Sequence, residues 1–176
     1  MEKTEKHTFF SQNSLFGAIM GLSFVITSWV FLTTGKPIAA NPNLNNILML
    51  LTIAGTFIGV RKYREDVLGG AITYGHALGT CTYIIGVASL IYGIYTVILY
   101  QALPDLKDQY LETIDATLRE VYANSSIADS LSDMMRAFTT SYSIGFSEIF
   151  SRIFSGFIFS LLLAGMLRKK APEQQL

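Results

Sequence analysis

The sequence predicts an all-α integral membrane protein with four transmembrane helices in a compact bundle. Three observations lead to this prediction: 51% of the 176 residues are hydrophobic, only 15% are charged, and the charges are confined to short stretches of the chain. Soluble globular proteins have about 25% charged residues. Basic and acidic residues are equal in number, 13 each, which disfavours nucleic-acid binding because such proteins carry a basic patch or stripe.

Long segments without Asp, Glu, Lys or Arg define the candidate spans. These segments are 7–35, 37–60, 67–104 and 153–167. The first three exceed the ~20 residues that a helix needs to cross the hydrocarbon core. The fourth is short by about one turn, so its helix has to begin near Phe146 and include Glu148 and Arg152. We therefore place the spans at about 13–33, 44–60, 79–101 and 147–167.

Two further helical features are predicted outside the spans. The first part of the third uncharged segment, 69–77, is small and polar. It predicts an interfacial lead-in helix that turns into the span near Gly79. In 102–146, apolar residues recur every three or four positions on both sides of Asn124, a pattern typical of amphipathic helices. We expect these two helices to form an extracytoplasmic helical hairpin between spans three and four.

The distribution of basic residues predicts how the protein crosses the membrane. Lys and Arg in short loops mark the cytoplasmic side, and they cluster in 3–6, 61–64 and 168–170, whereas 102–146 is acidic. Both termini are therefore expected in the cytoplasm. The first span has an apolar stretch of about 20 residues, longer than the apolar region of a signal peptide, so we interpret it as a retained helix.

Small residues four positions apart occur in every predicted span and allow helices to approach closely in lipid. They are Gly17 and Gly21, Gly55 and Gly59, Ser89 and Gly93, and Gly156, Ser160 and Ala164. In the third span, Gly79, Gly86 and Gly93 recur every seven residues, which predicts one seam of a left-handed bundle. Contacts within one chain and contacts between chains both fit this pattern.

Five residues are candidates for chemistry. His76 is either an interfacial histidine in contact with water or headgroups, or a proton carrier or haem ligand together with His7. Glu148 and Arg152 are four residues apart and share a helix face; they either reach the outer headgroups or line a gate or transport path. Tyr92 and Tyr95 are expected to form helix–helix hydrogen bonds, with a polar pathway as the alternative.

Enzyme signatures are missing from the sequence. The single cysteine, Cys81, excludes an internal disulfide framework and a thiolate zinc cluster. The sequence contains no phosphate loop, nucleophile–base arrangement or metal-ligand cluster. We therefore predict neither an enzyme nor a cofactor.

The middle of the chain resembles a known family. The segments GVRKYRE at 59–65 and GGAITYG at 69–75, the tyrosine-rich span ending in Tyr100 and the pair Pro104-Asp105 are similar to the bacterial membrane family called domain of unknown function 4199. The resemblance covers about residues 13–167. It implies a small four-span protein of the bacterial inner membrane, with no assigned activity and no catalytic residues.

The functional expectation follows from these features together. We expect a non-enzymatic accessory or scaffold component in the lipid bilayer, which assembles with itself or with another membrane protein through its glycine faces and outer loop. The alternative is a small oligomeric transporter or channel in which Glu148, Arg152 and the tyrosines line a path. A membrane enzyme or a haem carrier is the remaining class.

Overall fold

The computed structural model describes residues 2–35, 38, 41–122 and 125–169, with side chains from residue 9 onward except that of residue 125. This part of the chain contains six helices: α1 Glu2–Thr33, α2 Pro42–Asp66, α3 Tyr74–Ala102, α4 Pro104–Val121, α5 Ser125–Phe138 and α6 Ser141–Leu167. Four of the described helices, α1, α2, α3 and α6, are long and apolar enough to cross a membrane. The predicted all-α class and the four apolar helices are confirmed.

The four long helices form a bundle with α3 at its centre. Helix α3 packs most extensively against α6 and then against α1, while α2 closes the bundle against α1, α3 and α6. Phe24, Leu48, Val60, Ile84 and Ala88 are fully or almost fully buried between them. The α1–α2 and α2–α3 connections are short, so consecutive helices run antiparallel. We call the end where α1 and α3 finish the hairpin end, and the other the opposite end.

The opposite end shows why α3 begins where it does. Gly69 and Gly70 have φ values of 64° and 91°, a left-handed conformation that favours glycine. The Thr73 side chain then caps α3 by accepting a hydrogen bond from the His76 backbone N–H at 3.3 Å. Helix α3 runs from Tyr74 to Ala102, so the predicted separate lead-in helix over 69–77 is wrong.

Residues just before α3 also tie the opposite end together. Ile72 and Lys169 exchange two backbone hydrogen bonds of 2.9 and 3.0 Å. Arg64 Nη1 donates to the Leu167 carbonyl at 3.0 Å, and thereby satisfies one of the open carbonyls at the end of α6. These contacts join the α2–α3 connection to the end of the fourth span.

Most of the glycine steps join helices within the chain, one of the two arrangements that the sequence left open. A Cβ added at Gly17 would lie 2.6 Å from Val87 Cβ, and one added at Gly156 would lie 2.8 Å from Ile85 Cγ2. Each of these glycines therefore lets its helix approach α3 closely. Gly21 packs against α3 in the same way, whereas Gly55 packs against α1 and Gly59 against both α1 and α3.

The predicted single seam of Gly79, Gly86 and Gly93 is wrong. Gly93 packs against Ile149 and the Gly145 carbonyl of α6, whereas a Cβ added at Gly79 or Gly86 would meet no described atom within 4 Å. A seven-residue interval drifts by about 20° per repeat on a straight helix. The line of glycines therefore leaves the α6 contact before it reaches Gly86.

Helices α4 and α5 pack mainly against each other. Arg119 of α4 joins them, with ion pairs of 3.0 Å to Asp115 and 2.8 Å to Asp129 of α5. Their main described contact with the bundle is made by α4 on α3, where the Tyr100 and Tyr110 rings lie 6.1 Å apart. The α4–α5 pair is therefore a small unit at the hairpin end.

Candidate functional site

The ion pair between Glu148 and Arg152 is the centre of the candidate site. Both residues lie on α6, which begins at a reciprocal cap: Thr140 Oγ1 accepts from the Ser143 N–H, and Ser143 Oγ accepts from the Thr140 N–H. Two turns further along, Arg152 Nη2 donates to Glu148 Oε2 at 2.9 Å. The predicted shared helix face of this pair is confirmed.

Arg152 points into the bundle. Its side chain is only 13% exposed, and that of Glu148 is 36% exposed. The guanidinium carbon lies 4.2 Å from the centre of the Tyr92 ring and 5.5 Å from that of the Phe24 ring. A cation over an aromatic face is stabilised by the ring quadrupole. Arg152 is therefore held by groups of the bundle itself, and the expectation that the pair reaches the outer headgroups stays a prediction.

The site lies inside the length of the fourth span. At 1.5 Å per residue, Arg152 is about 22 Å and Glu148 about 28 Å along the helix axis from Leu167. Both distances are shorter than the thickness of a hydrocarbon core, about 30 Å. An ionisable residue within the length of an apolar span is a functional candidate.

Hydroxyl groups on α1 and α3 complete the polar cluster. Ser28 is completely buried, and its Oγ makes no hydrogen bond of good geometry to a described residue. Its hydroxyl lies close to those of Tyr92 and Tyr95. The Tyr95 hydroxyl and Arg152 Nε are also buried without a hydrogen bond of good geometry to a described residue. The helix–helix hydrogen bonds expected of Tyr92 and Tyr95 therefore stay a prediction, with Ser28 as the nearby hydroxyl on α1.

Two cavities adjoin the ion pair. The outer cavity, of about 280 Å³, lies between α2 and α6 and is lined by Asn45, Asn46, Thr52 and Ser151 together with the pair. The inner cavity, of about 150 Å³, extends toward the hairpin end. It is lined by Ser28, Leu44, Asn45, Tyr92, Thr96, Tyr100, Tyr110, Glu148 and Arg152, among others. Glu148, Arg152 and Asn45 line both cavities, so the ion pair stands between them.

His76 lies far from this cluster, at the opposite end of the bundle. It is exposed in the first turn of α3, with Nε2 3.4 Å from the Tyr63 hydroxyl. The side chain of His7, its suggested partner as a haem ligand, lies outside the described residues. Among the residues that the structure describes, no three His, Cys, Asp or Glu side chains come together as a metal site. Cys81 is buried in the bundle core.

Gly79 and Gly86 line a third, apolar space on the lipid-facing side of α3. This groove has a volume of about 700 Å³ and also contains Gly75, Leu90 and, from α6, Phe157. It lies outside the polar cluster and faces outward from the bundle. The glycines predicted as a packing seam are thus divided between an internal contact at Gly93 and this open groove.

Three residues of the site were missed by the sequence analysis. Ser28 is one of several hydroxyl residues on α1, Asn45 is one of four asparagines in 41–46, and Tyr110 lies in the amphipathic segment 102–146. Asn45 was the one with a usable signal, since the N-terminus of α2 begins earlier, at Pro42. An asparagine inside an apolar helix needs a polar neighbour.

Comparison with known protein families gives a match over most of the chain. The family described as protein of unknown function (DUF4199) matches residues 15–169 of the chain. No curated protein and no solved structure matches it significantly.

Proposed function

The chain belongs to the DUF4199 family, and we propose that it is a non-enzymatic scaffold or accessory protein of the bacterial inner membrane. In this proposal two copies assemble through the open glycine face of α3. We define this face by Gly75, Gly79 and Gly86. The family is one of unknown function, so the proposal rests on the geometry of the chain.

The single observation that carries the proposal is a row of glycines on α3 that pack against no other described helix. A Cβ added at Gly75, Gly79 or Gly86 would meet no described atom within 4 Å, and all three line the same apolar groove. Glycine in a helix interior costs about 1 kcal/mol relative to alanine. On a surface that contacts only lipid, a glycine has no benefit that offsets this cost. On a surface that packs against another helix, a glycine allows the two backbones to approach closely.

A second copy is the occupant that this face fits best. A face that meets its own copy across a twofold axis must be self-complementary. A line of small residues satisfies this condition, because two such lines leave room for both backbones. Another membrane protein that supplies a matching helix is the competing outcome of the test.

The charges at the two ends support the proposed orientation. Arg61, Lys62 and Arg168 are exposed at the opposite end, whereas the α4–α5 pair at the hairpin end carries the acidic stretch of the chain. Basic residues close to span ends remain on the cytoplasmic side. Both termini are accordingly proposed to face the cytoplasm, and the α4–α5 pair to face outward.

The mass of the complex, measured after gentle extraction into nanodiscs, tests the assembly. The wild-type chain is expected as a discrete dimer and the Gly86→Leu variant as a monomer, because leucine fills the groove. Gly165→Leu is the matched control, since a Cβ there also meets no described atom within 4 Å but Gly165 is not a lining residue of the groove. A wild-type monomer would contradict the proposal. Co-purification of a second protein in place of a second copy would show that the glycine face binds another membrane protein.

A small transporter is the second candidate, and the two cavities on either side of Glu148 and Arg152 favour it. A path through the bundle needs polar space on both sides of an element that can open and close. The two cavities supply the space, and the ion pair can act as that element. Under this alternative, Glu148→Gln abolishes solute flux in proteoliposomes and leaves the assembly intact. Under the scaffold proposal, the variant changes stability or assembly and there is no flux to lose.

A further inference from the structure

We propose that the cavities around Glu148 and Arg152 form a binding site for a small zwitterionic group, one that carries a primary ammonium together with a phosphate or carboxylate. The site requires neither self-assembly through α3 nor transport. The proposal rests on the geometry of α6 and its neighbours. Its test is therefore independent of the test of the proposed function.

Each member of the ion pair has unused hydrogen-bonding capacity. Arg152 Nη2 donates to Glu148 Oε2, while Arg152 Nε is buried without a partner among the described residues. Glu148 Oε1 accepts no hydrogen bond within the described part of the chain, and the Glu148 side chain is 36% exposed. The guanidinium can therefore accommodate an anionic oxygen, and the carboxylate can accept from an ammonium group.

Buried polar groups around the pair point to an occupant. Ser28 is completely buried, makes no hydrogen bond of good geometry to a described residue, and is one of the residues that line the inner cavity. Buried hydroxyls are normally hydrogen-bonded, because leaving one unpaired costs free energy. The Asn45 amide lines both cavities, and the Asn46 and Thr52 side chains line the outer one. These groups offer donors and acceptors to a polar guest.

Charge balance selects the class of ligand. Glu148 and Arg152 are the charged residues that line the two cavities, and together they are neutral. A guest with a net charge would leave one charge uncompensated in a medium of low dielectric constant, which is costly. A zwitterion keeps the site neutral and gives each protein charge an opposite partner. A primary ammonium also donates hydrogen bonds to Glu148, which a quaternary one cannot do.

Two sources supply this chemistry. The outer cavity lies between α2 and α6, and its exposed lining residues Asn46, Met49 and Ser151 place it on the side of the bundle. An ethanolamine phospholipid headgroup can enter there from the bilayer, and a free amino acid or glycerophosphoethanolamine can enter from water. The chemistry is the same in both cases, so the experiment has to separate the sources.

The test uses the full-length chain in phosphatidylcholine nanodiscs. Glycerophosphoethanolamine, whose phosphodiester and ammonium charges cancel, is titrated by calorimetry as the soluble probe. Inorganic phosphate and ethanolamine serve as probes that carry charge of one sign only. In parallel, native mass spectrometry measures which lipid remains bound from mixtures of phosphatidylethanolamine, phosphatidylcholine and phosphatidylglycerol. Binding of glycerophosphoethanolamine, or selective retention of phosphatidylethanolamine, supports the site and identifies its source.

Charge variants make the assignment specific. Glu148→Gln is expected to weaken zwitterion binding by about tenfold or more and to shift preference toward phosphate or phosphatidylglycerol. Arg119→Gln is the matched control, because Arg119 forms a similar i,i+4 ion pair with Asp115 on α4, away from the cavities. Protection of Cys81 from maleimide shows that each variant is folded. If Glu148→Gln loses this protection, the Ser28→Val variant is used instead. It narrows the inner cavity and leaves the ion pair intact, and it is expected to lose zwitterion binding to the same extent.

Three results would overturn the proposal. The first is wild-type protein that binds neither glycerophosphoethanolamine nor phosphatidylethanolamine selectively. The second is binding of phosphate or ethanolamine alone that matches the zwitterion and is unchanged in Glu148→Gln. The third is an equal loss of binding in Arg119→Gln, which would indicate a general effect on the fold.

Discussion

The Arg152 guanidinium of α6 lies over the face of the Tyr92 ring of α3, 4.2 Å from its centre. This contact couples the two helices that pack most extensively in the bundle. The same guanidinium donates a hydrogen bond of 2.9 Å to Glu148 Oε2. The charge of Arg152 thus contacts both a carboxylate and an aromatic ring, and we expect both neighbours to contribute to the stability of the bundle.

Glu148→Gln is expected to destabilise the bundle by about 1–3 kcal/mol, because it leaves Arg152 as a buried cation without a carboxylate. The double variant Glu148→Gln/Arg152→Met removes both charges and should recover most of this loss. Thermal unfolding in one detergent, arranged as a double-mutant cycle, measures both effects. Strictly additive losses would show that the pair is not coupled.

Gly93→Leu is expected to disrupt the α3–α6 contact. A Cβ at Gly93 would overlap the Ile149 side chain and lie 3.1 Å from the Gly145 carbonyl oxygen, so the two helices would have to separate. The rate at which maleimide labels Cys81, which is buried in the wild type, reports the change. Gly86→Leu should leave this rate unchanged, because a Cβ added at Gly86 meets no described atom within 4 Å. Equal labelling of both variants would contradict the assignment.

The α4–α5 pair should lose protection at acidic pH. Hydrogen bonding from Arg119, and next from Ser132, holds the pKa of Asp115 below its ordinary value of 3.8. A lowered pKa in the folded state contributes stability above the unfolded value, and this contribution is lost as the pH falls through the folded pKa. Hydrogen exchange of α4 and α5 should therefore be slower in wild type than in Asp115→Asn at neutral pH. The difference should vanish well below pH 3.8, and a difference that persists there would count against the Asp115 assignment.

Accessibility labelling tests the proposed orientation. In a Cys81→Ala background, Asp133→Cys on α5 should react with a membrane-impermeant maleimide when the outer side of the inner membrane is exposed. Arg168→Cys at the opposite end should react only after the membrane is permeabilised. Both side chains are exposed in the structure, so their difference reports the side of the membrane. The reverse pattern would invert the topology.

The number of spanning helices could be predicted from the sequence, but the faces that they present to one another could not. Gaps between charges depend only on the chain, and they located all four apolar helices. The inward turn of Arg152 depends on Phe24 of α1 and Tyr92 of α3, which the sequence places far from it. In the same way, the spacing of Gly86 and Gly93 is regular, yet only Gly93 meets α6.

Disulfide cross-linking in native membranes tests the central claim, assembly through α3, most directly. In the Cys81→Ala background, single cysteines are placed at Gly79, Gly86 and Gly165, and the membranes are oxidised. Helices that meet through glycine bring such positions within the ~4.4–6.8 Å that a disulfide spans between Cα atoms. The proposal predicts cross-linked dimers for Gly79→Cys or Gly86→Cys and none for Gly165→Cys. Equal cross-linking at all three positions, or none at Gly79 and Gly86, would contradict it.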